Sequence, residues 1–242
     1  MNVFIIGGST GIGFALAHFY QQSGHRVGVC GRDLSKLPKA VPFESYKADV
    51  IDKALLTQVI RQFVGSDTLS LLINCAGSYA EDVVGEISYE EAVSILQTNI
   101  IGAVNTLEVG RELMAHHGGQ IVLLASISGI LDYSSSSLYT KTKRSVLQIA
   151  DAYRRALRPF GIYITSIAPG YVATQKLYKL NQNNLSKKPF LVSEDRAVAE
   201  ISRAITQKKS LHLFPTRMKW LMQLLSLLPK PLLSLLMYRK AK

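Results

Sequence analysis

The sequence predicts an α/β protein built on a doubly wound parallel sheet of about seven strands with helices on both faces. Short apolar runs alternate with longer amphipathic ones along the chain, the pattern of strands buried on both sides and their crossover helices. Glycines stand where helices must stop ahead of strands, at Gly24, Gly65, Gly118, Gly119 and Gly161. A further glycine cluster joins the first apolar run to the first amphipathic one.

Val3-Phe4-Ile5-Ile6 follows Met1 and Asn2 and is ended by Gly7. Four apolar residues are too few for a signal peptide and read as a buried strand. The same reading places strands near 2–6, 27–31, 44–48, 69–74, 120–125, 162–167 and 211–214. Helices are expected near 12–23, 53–64, 88–116, 136–158 and 193–207. The stretch 171–192 has no clear period and carries Tyr, Lys, Asn and Gln. At the carboxyl ends of parallel strands such a segment covers ligands, so a mobile substrate loop is expected. A length of 242 residues accommodates one such domain, taken as 1–215, followed by a Leu-rich basic tail over 216–242.

Apolar residues make up 48% of the chain and charged ones 19%, which excludes a disordered class. The two cysteines, Cys30 and Cys75, form no spacing framework, which predicts a reducing, cytoplasmic setting and no disulfide scaffold. No metal site is expected, because thiol and imidazole clusters are missing, and His116-His117 before Gly118 reads as a solvated helix end. The net charge of +11 is uneven. The first 200 residues hold 19 basic against 17 acidic groups, while nine Lys or Arg and no acid follow from Ile201 onward.

After the first strand come Gly7-Gly8-Ser9-Thr10-Gly11-Ile12-Gly13. Glycines 7, 11 and 13 permit a tight turn and close backbone approach to a pyrophosphate, which the next helix meets with free N–H groups and a positive dipole end. The position between first strand and first helix makes this signal stronger than a lone glycine cluster. The second strand ends in Arg32. A guanidinium there pairs with a 2′-phosphate, whereas an acid would select the free ribose of NAD, so NADP(H) is preferred over NAD(H). Asp33 is the rival for the ribose.

The spacing Gly-x-x-x-Gly-x-Gly resembles the turn of the short-chain dehydrogenase/reductase family, with Ile6 where that family usually has Thr. Asp49-Val50 resembles its adenine-contacting pair. Asn74-Cys75-Ala76-Gly77 resembles its Asn-Asn-Ala-Gly turn, with Cys75 in place of the second Asn. Pro169-Gly170, Val172 and Thr174 resemble its Pro-Gly turn and following Thr. The resemblance covers about residues 2–215 and implies a Rossmann-like fold. It assigns Gly7, Ser9, Thr10, Gly11, Ile12, Gly13, Arg32, Asp49, Val50, Asn74, Ala76, Gly77, Pro169, Gly170, Val172 and Thr174 to cofactor binding.

Tyr139-x-x-x-Lys143 puts a phenol and an ammonium on one face of a helix, and the nearby cation is expected to favour the phenolate. Ser126 lies thirteen residues upstream, just after an apolar strand, aimed at a substrate oxygen. The family resemblance adds Asn99 as the fourth catalytic member, holding a water that links Lys143 to solvent, and has Tyr139 and Lys143 touch the cofactor as well. A second Tyr238-x-x-x-Lys242 pair lacks a serine at the matching distance and reads as a decoy. Tyr133 has Ser137 four residues on and is assigned to the substrate pocket at most.

The tail reads as two Leu-rich pieces split by Pro229-Lys230-Pro231. Neither reaches the length that spans a bilayer. With Trp220 and flanking Arg217, Lys219, Lys230, Arg239, Lys240 and Lys242, it suits an anionic membrane surface on the inner face, or else packs on its own body or on a second subunit. No nucleic-acid partner is expected, because the cations alternate with leucines and carry no stacking aromatics. Taken together, the expectation is an NADPH-dependent reductase of a lipophilic ketone or aldehyde, interconverting carbonyl and alcohol. A 3-oxoacyl-(acyl carrier protein) reductase and a non-catalytic, membrane-associated NADP(H)-binding protein are the alternatives. The resemblance also implies a homodimer or homotetramer.

Overall fold

In β1 (Asn2–Ile6) every residue from Val3 on is buried, which is possible only where helices cover both faces of the sheet. Alternate residues divide between two cores. Val3 and Ile5 join Leu16, Val29 and Ile201 on one face, and Phe4 and Ile6 join Leu56, Ile60 and Phe63 on the other. A computed structural model describes residues 1–79, 87–134, 136–186 and 188–238. Lys242 of the second Tyr-Lys pair, and Arg239 and Lys240 of the basic flank, lie outside the described residues, as does the side chain of Tyr238.

The seven strands are β1, β2 (Arg26–Gly31), β3 (Glu44–Lys47), β4 (Leu71–Asn74), β5 (Gly119–Leu124), β6 (Ile162–Pro169) and β7 (Leu211–Phe214). All pair in parallel, in the order β3-β2-β1-β4-β5-β6-β7. The order reverses between β1 and β4, and such a switch point opens a crevice at the strands' carboxyl ends. The crossovers are α1 (Gly11–Gln22), α2 (Lys53–Val64), α3 (Tyr89–Leu96) leading to α4 (Gly102–Met114), α5 (Leu138–Leu157), α6 (Gln175–Leu180) and α7 (Glu194–Thr206). Gly24, Gly65, Gly118 and Gly161 stand at helix ends with positive φ, where a side chain would be strained.

Two expectations need correction. The helix expected over 88–116 is interrupted. Between α3 and α4 the residues Gln97–Ile101 form a π turn, in which Gly102 N–H reaches back to the Gln97 carbonyl. Gly102 has no side chain, and Val50 fills that space from the other side; a Cβ there would lie 2.7 Å from the Val50 Cγ1. The stretch 171–192 is not an unstructured loop. It is pinned by a Val172–Val192 bridge, carries α6, and buries Leu185. Six helical residues are too few to print a period in the sequence.

The tail follows the two pieces expected on either side of Pro229-Lys230-Pro231. It forms α8 (Thr216–Ser226) and α9 (Lys230–Tyr238), and both dock on the body through single buried residues, Met218 and Leu233. Lys230 pairs with Asp132 at 2.7 Å, and Ser134 bonds Ser234. Packing and exposure coexist, since Trp220, Leu224, Leu227 and Leu235 remain outward. None of the described helices is long and apolar enough to cross a membrane.

Candidate active site

Ser126 follows β5 directly and accepts from Ser128 N–H as cap of the short 3-10 turn Ile127–Ile130. That turn lies flat on α5 because Gly129 has no side chain; a Cβ would sit 2.7 Å from the Arg144 nitrogen. The close approach brings Ser126 to the first turn of α5, where Ser137 caps the helix by accepting from Thr140 N–H. Tyr139 is the second residue of that helix, and its phenol lies near enough to Ser126 for that hydroxyl to act on its pKa. Serine and tyrosine thus lie close together across two elements.

Lys143, one turn further on, is buried and donates to the Leu124 carbonyl at 3.0 Å. Its ammonium lies 5.7 Å from the centre of the Tyr139 ring. The electrostatics depart from expectation. Burial pushes the Tyr139 phenol up to about 12, partly opposed by the Ser126 hydroxyl. Burial likewise brings Lys143 down to about 8, helped by the charge of Lys176. Desolvation is the leading cause at both groups, so the expected favouring of the phenolate by Lys143 does not appear. Tyr79 packs edge-on against Tyr139 with centroids 4.9 Å apart and adds to the upward shift.

Asn99 lies in the π turn, buried, and its side chain is fully committed. It accepts from Ser78 N–H, and its amide donates to the Ser78 carbonyl and the Thr142 hydroxyl. It clamps the strand-end loop onto α5. A cavity of about 10 Å³, on the scale of one water, separates Asn99 from Lys143 and is also bordered by Asn74, Ala76 and Leu124.

At the other end of the crevice Gly7 and Gly11 have positive φ, and Gly13 packs so tightly that a Cβ would lie 2.3 Å from the Gly7 carbonyl oxygen. Thr10 precedes α1 with no side-chain cap bond, so the helix's first N–H groups stay open toward the crevice. Ser9 lies against Gly31, and Ile12 packs at the edge of the core. Thr174 caps α6 and reaches Gly11, while Gly170 donates to the Phe214 carbonyl and packs under Met218. Pro169 ends β6.

Arg32 is exposed just past β2, and no ion-pair partner stands beside it among the described residues. Asp33 is turned away onto Ser35, whose N–H and hydroxyl it accepts at 2.9 and 2.6 Å, and onto Lys36. Asp49 accepts from Ile51 N–H. Two predicted cofactor residues have side chains spent elsewhere. Val50 is buried against Gly102. Asn74 donates to the Gly102 carbonyl and the Thr106 hydroxyl and accepts from Ala76 N–H. Asn74 shapes the Ala76–Gly77 turn, and any contact of that turn with a ligand runs through backbone. Sequence reasoning passed over Gly129, Ser78, Thr142 and Tyr79, which carry no motif of their own and matter only through their neighbours.

These residues fit a nicotinamide dinucleotide: a glycine turn with open helix N–H groups, an unpaired guanidinium at the adenosine end, and a serine–tyrosine pair at the other. The family model for short chain dehydrogenase matches residues 1–185. An uncharacterised oxidoreductase of Staphylococcus aureus (strain MRSA252) is 30% identical over 217 residues, covering 85% of this chain and 90% of its own. The 3-oxoacyl-[acyl-carrier-protein] reductase of Mus musculus is 26% identical over 192 residues, covering 76% and 80%. Among solved structures, ElxO with NADP bound superposes with a TM-score of 0.78 at 23% identity, covering 88% of this chain and 96% of ElxO. A short chain dehydrogenase from Burkholderia cenocepacia in complex with NADP gives 0.80 at 19%, covering 93% and 92%. The chain belongs to the short chain dehydrogenase family and is an oxidoreductase that acts on CH–OH groups with a nicotinamide dinucleotide.

Proposed function

We propose that the protein is an NADPH-dependent carbonyl reductase in which Tyr139 is the proton donor, Ser126 the oxyanion partner, Lys143 the fixed charge and Asn99 the clamp. The observation that carries this reading is the convergence at the end of β5 of Ser126, Tyr139 and the buried Lys143, whose ammonium lies 5.7 Å from the Tyr139 ring centre and bonds the Leu124 carbonyl. A bound nicotinamide supplies the hydride to the carbonyl carbon. The chain supplies the rest. The Ser126 hydroxyl donates to the carbonyl oxygen and polarises it. Tyr139, held near 12, is fully protonated at neutral pH and gives its proton to the alkoxide as that charge develops. The cavity between Asn99 and Lys143 supports a one-water relay for returning the proton.

Preference for NADPH is supported by Arg32, which has no carboxylate to hold it, and by Asp33, whose oxygens are already taken. The two NADP-bound structures named above point the same way. Titration of the purified protein with NADPH and NADH, followed by a screen of medium- and long-chain ketones and aldehydes, tests the reading. Binding of neither nucleotide, or binding without turnover of any carbonyl, would count against it.

A lipophilic substrate and a membrane-surface location rest on the tail. Trp220 and Leu224 are 66% exposed and Leu227 80%, on helices that also carry Arg217 and Lys219. Exposed leucines edged with cations suit anionic headgroups over an acyl layer. A cleft of about 400 Å³ opens beside Tyr133, between residues 132–134 and Lys230, Pro231 and Ser234 of α9, which supports entry of an apolar substrate from that side. Flotation with anionic liposomes, comparing the full chain with one ending at Pro215, decides it; failure of both to float removes the membrane from the reading. The unbonded thiols Cys30 and Cys75 support a cytoplasmic setting. Leu96 and Ile101, exposed along α3 and the π turn, support self-association, which light scattering tests.

The mouse relative favours a second reading, reduction of a 3-oxoacyl thioester on an acidic acyl carrier protein. Turnover of carrier-bound 3-oxoacyl groups well ahead of free ketones would establish it.

A further inference from the structure

Lys176 stands on α6, two residues after Thr174, the residue whose methyl lies nearest to Gly11. From there its ammonium reaches over to the far side of the crevice and donates to the Gly77 carbonyl at 3.2 Å. Gly77 in turn lies against Lys143, whose nitrogen is 3.3 Å from where a Gly77 Cβ would be. The side chain therefore joins the segment after β6 to the turn after β4, directly over the β1–β4 switch point.

The charge around it is one-sided. Lys176 is close enough to Arg32 and Lys36 for both to disfavour its own charge, and it in turn disfavours that of Lys143. Among the described residues no carboxylate pairs with Lys176, Arg32 or Lys143, and Asp33 is occupied by Ser35 and Lys36. An ammonium has three N–H donors, and the Gly77 carbonyl takes one. With Lys36 held by Asp33, the cations Arg32, Lys143 and Lys176 leave the glycine-lined crevice with an excess of positive charge, which a bound polyanion would offset. Arg32 and Lys36 mark the adenosine end and Lys143 the reacting end, so Lys176 lies between them, at the height of the glycine turn.

We propose that Lys176 is a cofactor-binding residue that clamps the bridging pyrophosphate from above, opposite the glycine turn, and so fastens α6 across the crevice. The inference rests on the dinucleotide reading of the crevice and adds to it a residue outside every motif in the chain. Since the pyrophosphate is common to both nucleotides, Lys176 contributes to binding NADPH and NADH alike, while Arg32 discriminates between them.

Equilibrium titration of the full chain tests this, with NADPH, NADH and adenosine 2′-phosphate as probes and Lys176→Gln, Lys176→Arg and Arg32→Ala as variants. Charge-assisted hydrogen bonds contribute roughly 1.5–3 kcal/mol, so Lys176→Gln should weaken NADPH and NADH equally, by about 10- to 100-fold, and leave adenosine 2′-phosphate unchanged. Lys176→Arg should restore most of the loss for both. Arg32→Ala should show the converse pattern, with NADPH and adenosine 2′-phosphate weakened and NADH spared. Lys176→Gln that binds both dinucleotides like the wild type, or loses only NADPH and adenosine 2′-phosphate, would overturn the proposal. A wild-type chain that binds neither dinucleotide would sink the underlying cofactor reading instead, a result distinct from both.

Discussion

The Lys143 ammonium donates to the Leu124 carbonyl at 3.0 Å while lying 5.7 Å from the centre of the Tyr139 ring. The lysine is thereby tied to the end of β5, the same strand end that delivers Ser126, and acts on the phenol through space. Both titratable groups are displaced toward their neutral forms, and the consequences are measurable.

Replacing Tyr139 by Phe removes the transferable proton and little else, since the ring keeps its edge contact with Tyr79. Carbonyl turnover should fall by about 10²- to 10⁴-fold, the usual contribution of a positioned general acid. NADPH affinity, read by titration, should stay within about twofold, because ring packing carries no charge-assisted bond. Turnover close to wild type would refute the assignment of the proton donor.

The pH dependence follows from Lys143. Burial first, and the Lys176 charge second, hold it at about 8. Its positive charge is present below that value and is lost as pH rises through it. The profile of kcat/KM for NADPH should therefore be level at lower pH and decline above about 8. Tyr139, near 12, adds no break within the working range. A level profile across pH 8 would show that the ammonium is not needed.

Stability responds with the opposite sense. The folded-state pKa of Lys143 is depressed from 10.5 to about 8, so the folded chain binds the proton less tightly than the unfolded one. The resulting destabilisation, roughly 3 kcal/mol, is complete below about pH 8 and is relieved as pH climbs toward 10.5. Lys143→Met should raise Tm at neutral pH while abolishing turnover, and the gain should shrink in alkaline buffer. A drop in Tm would mean that the bond to Leu124 outweighs desolvation.

Arg32→Ala should cost NADPH about 10-fold or more in affinity and leave NADH nearly unchanged, since a guanidinium–phosphate fork is lost only for the phosphorylated ribose. Equal losses for both nucleotides would place Arg32 elsewhere in the site. The ratio of the two dissociation constants is the deciding quantity.

The tail's two sides should separate under mutation. Leu233 is 3% exposed, and Leu233→Ala should destabilise the docking of α9 by about 2–4 kcal/mol, seen as earlier proteolysis of the tail. Leu224 is 66% exposed; Leu224→Glu should leave Tm unaltered and reduce flotation with anionic liposomes. Unaltered flotation of Leu224→Glu would remove α8 from the membrane contact.

Periodicity and punctuation made most of the fold legible. Apolar runs marked most of the strands, though not the polar edge strand Glu44–Lys47, and Gly24, Gly65, Gly118 and Gly161 marked helix ends because positive φ there favours glycine. The π turn at Gln97–Ile101 was hidden, since a single widened turn leaves the apolar pattern intact. Likewise α6 was too short to show a period.

What the sequence determined by itself is the order of elements, the glycine turn, and which phenol, ammonium and hydroxyl belong together, because these show as short spacings within one helix or between neighbours in the chain. Tertiary structure decided how those groups behave. It set the protonation of Tyr139 and Lys143 through burial, gave Asn74 and Asn99 to holding loops, turned Asp33 away from the crevice, and laid Lys176 across it. Apart from the local Asp33–Ser35 turn, these are contacts between segments distant in the chain, and desolvation and hydrogen-bond competition act there only once such segments have met.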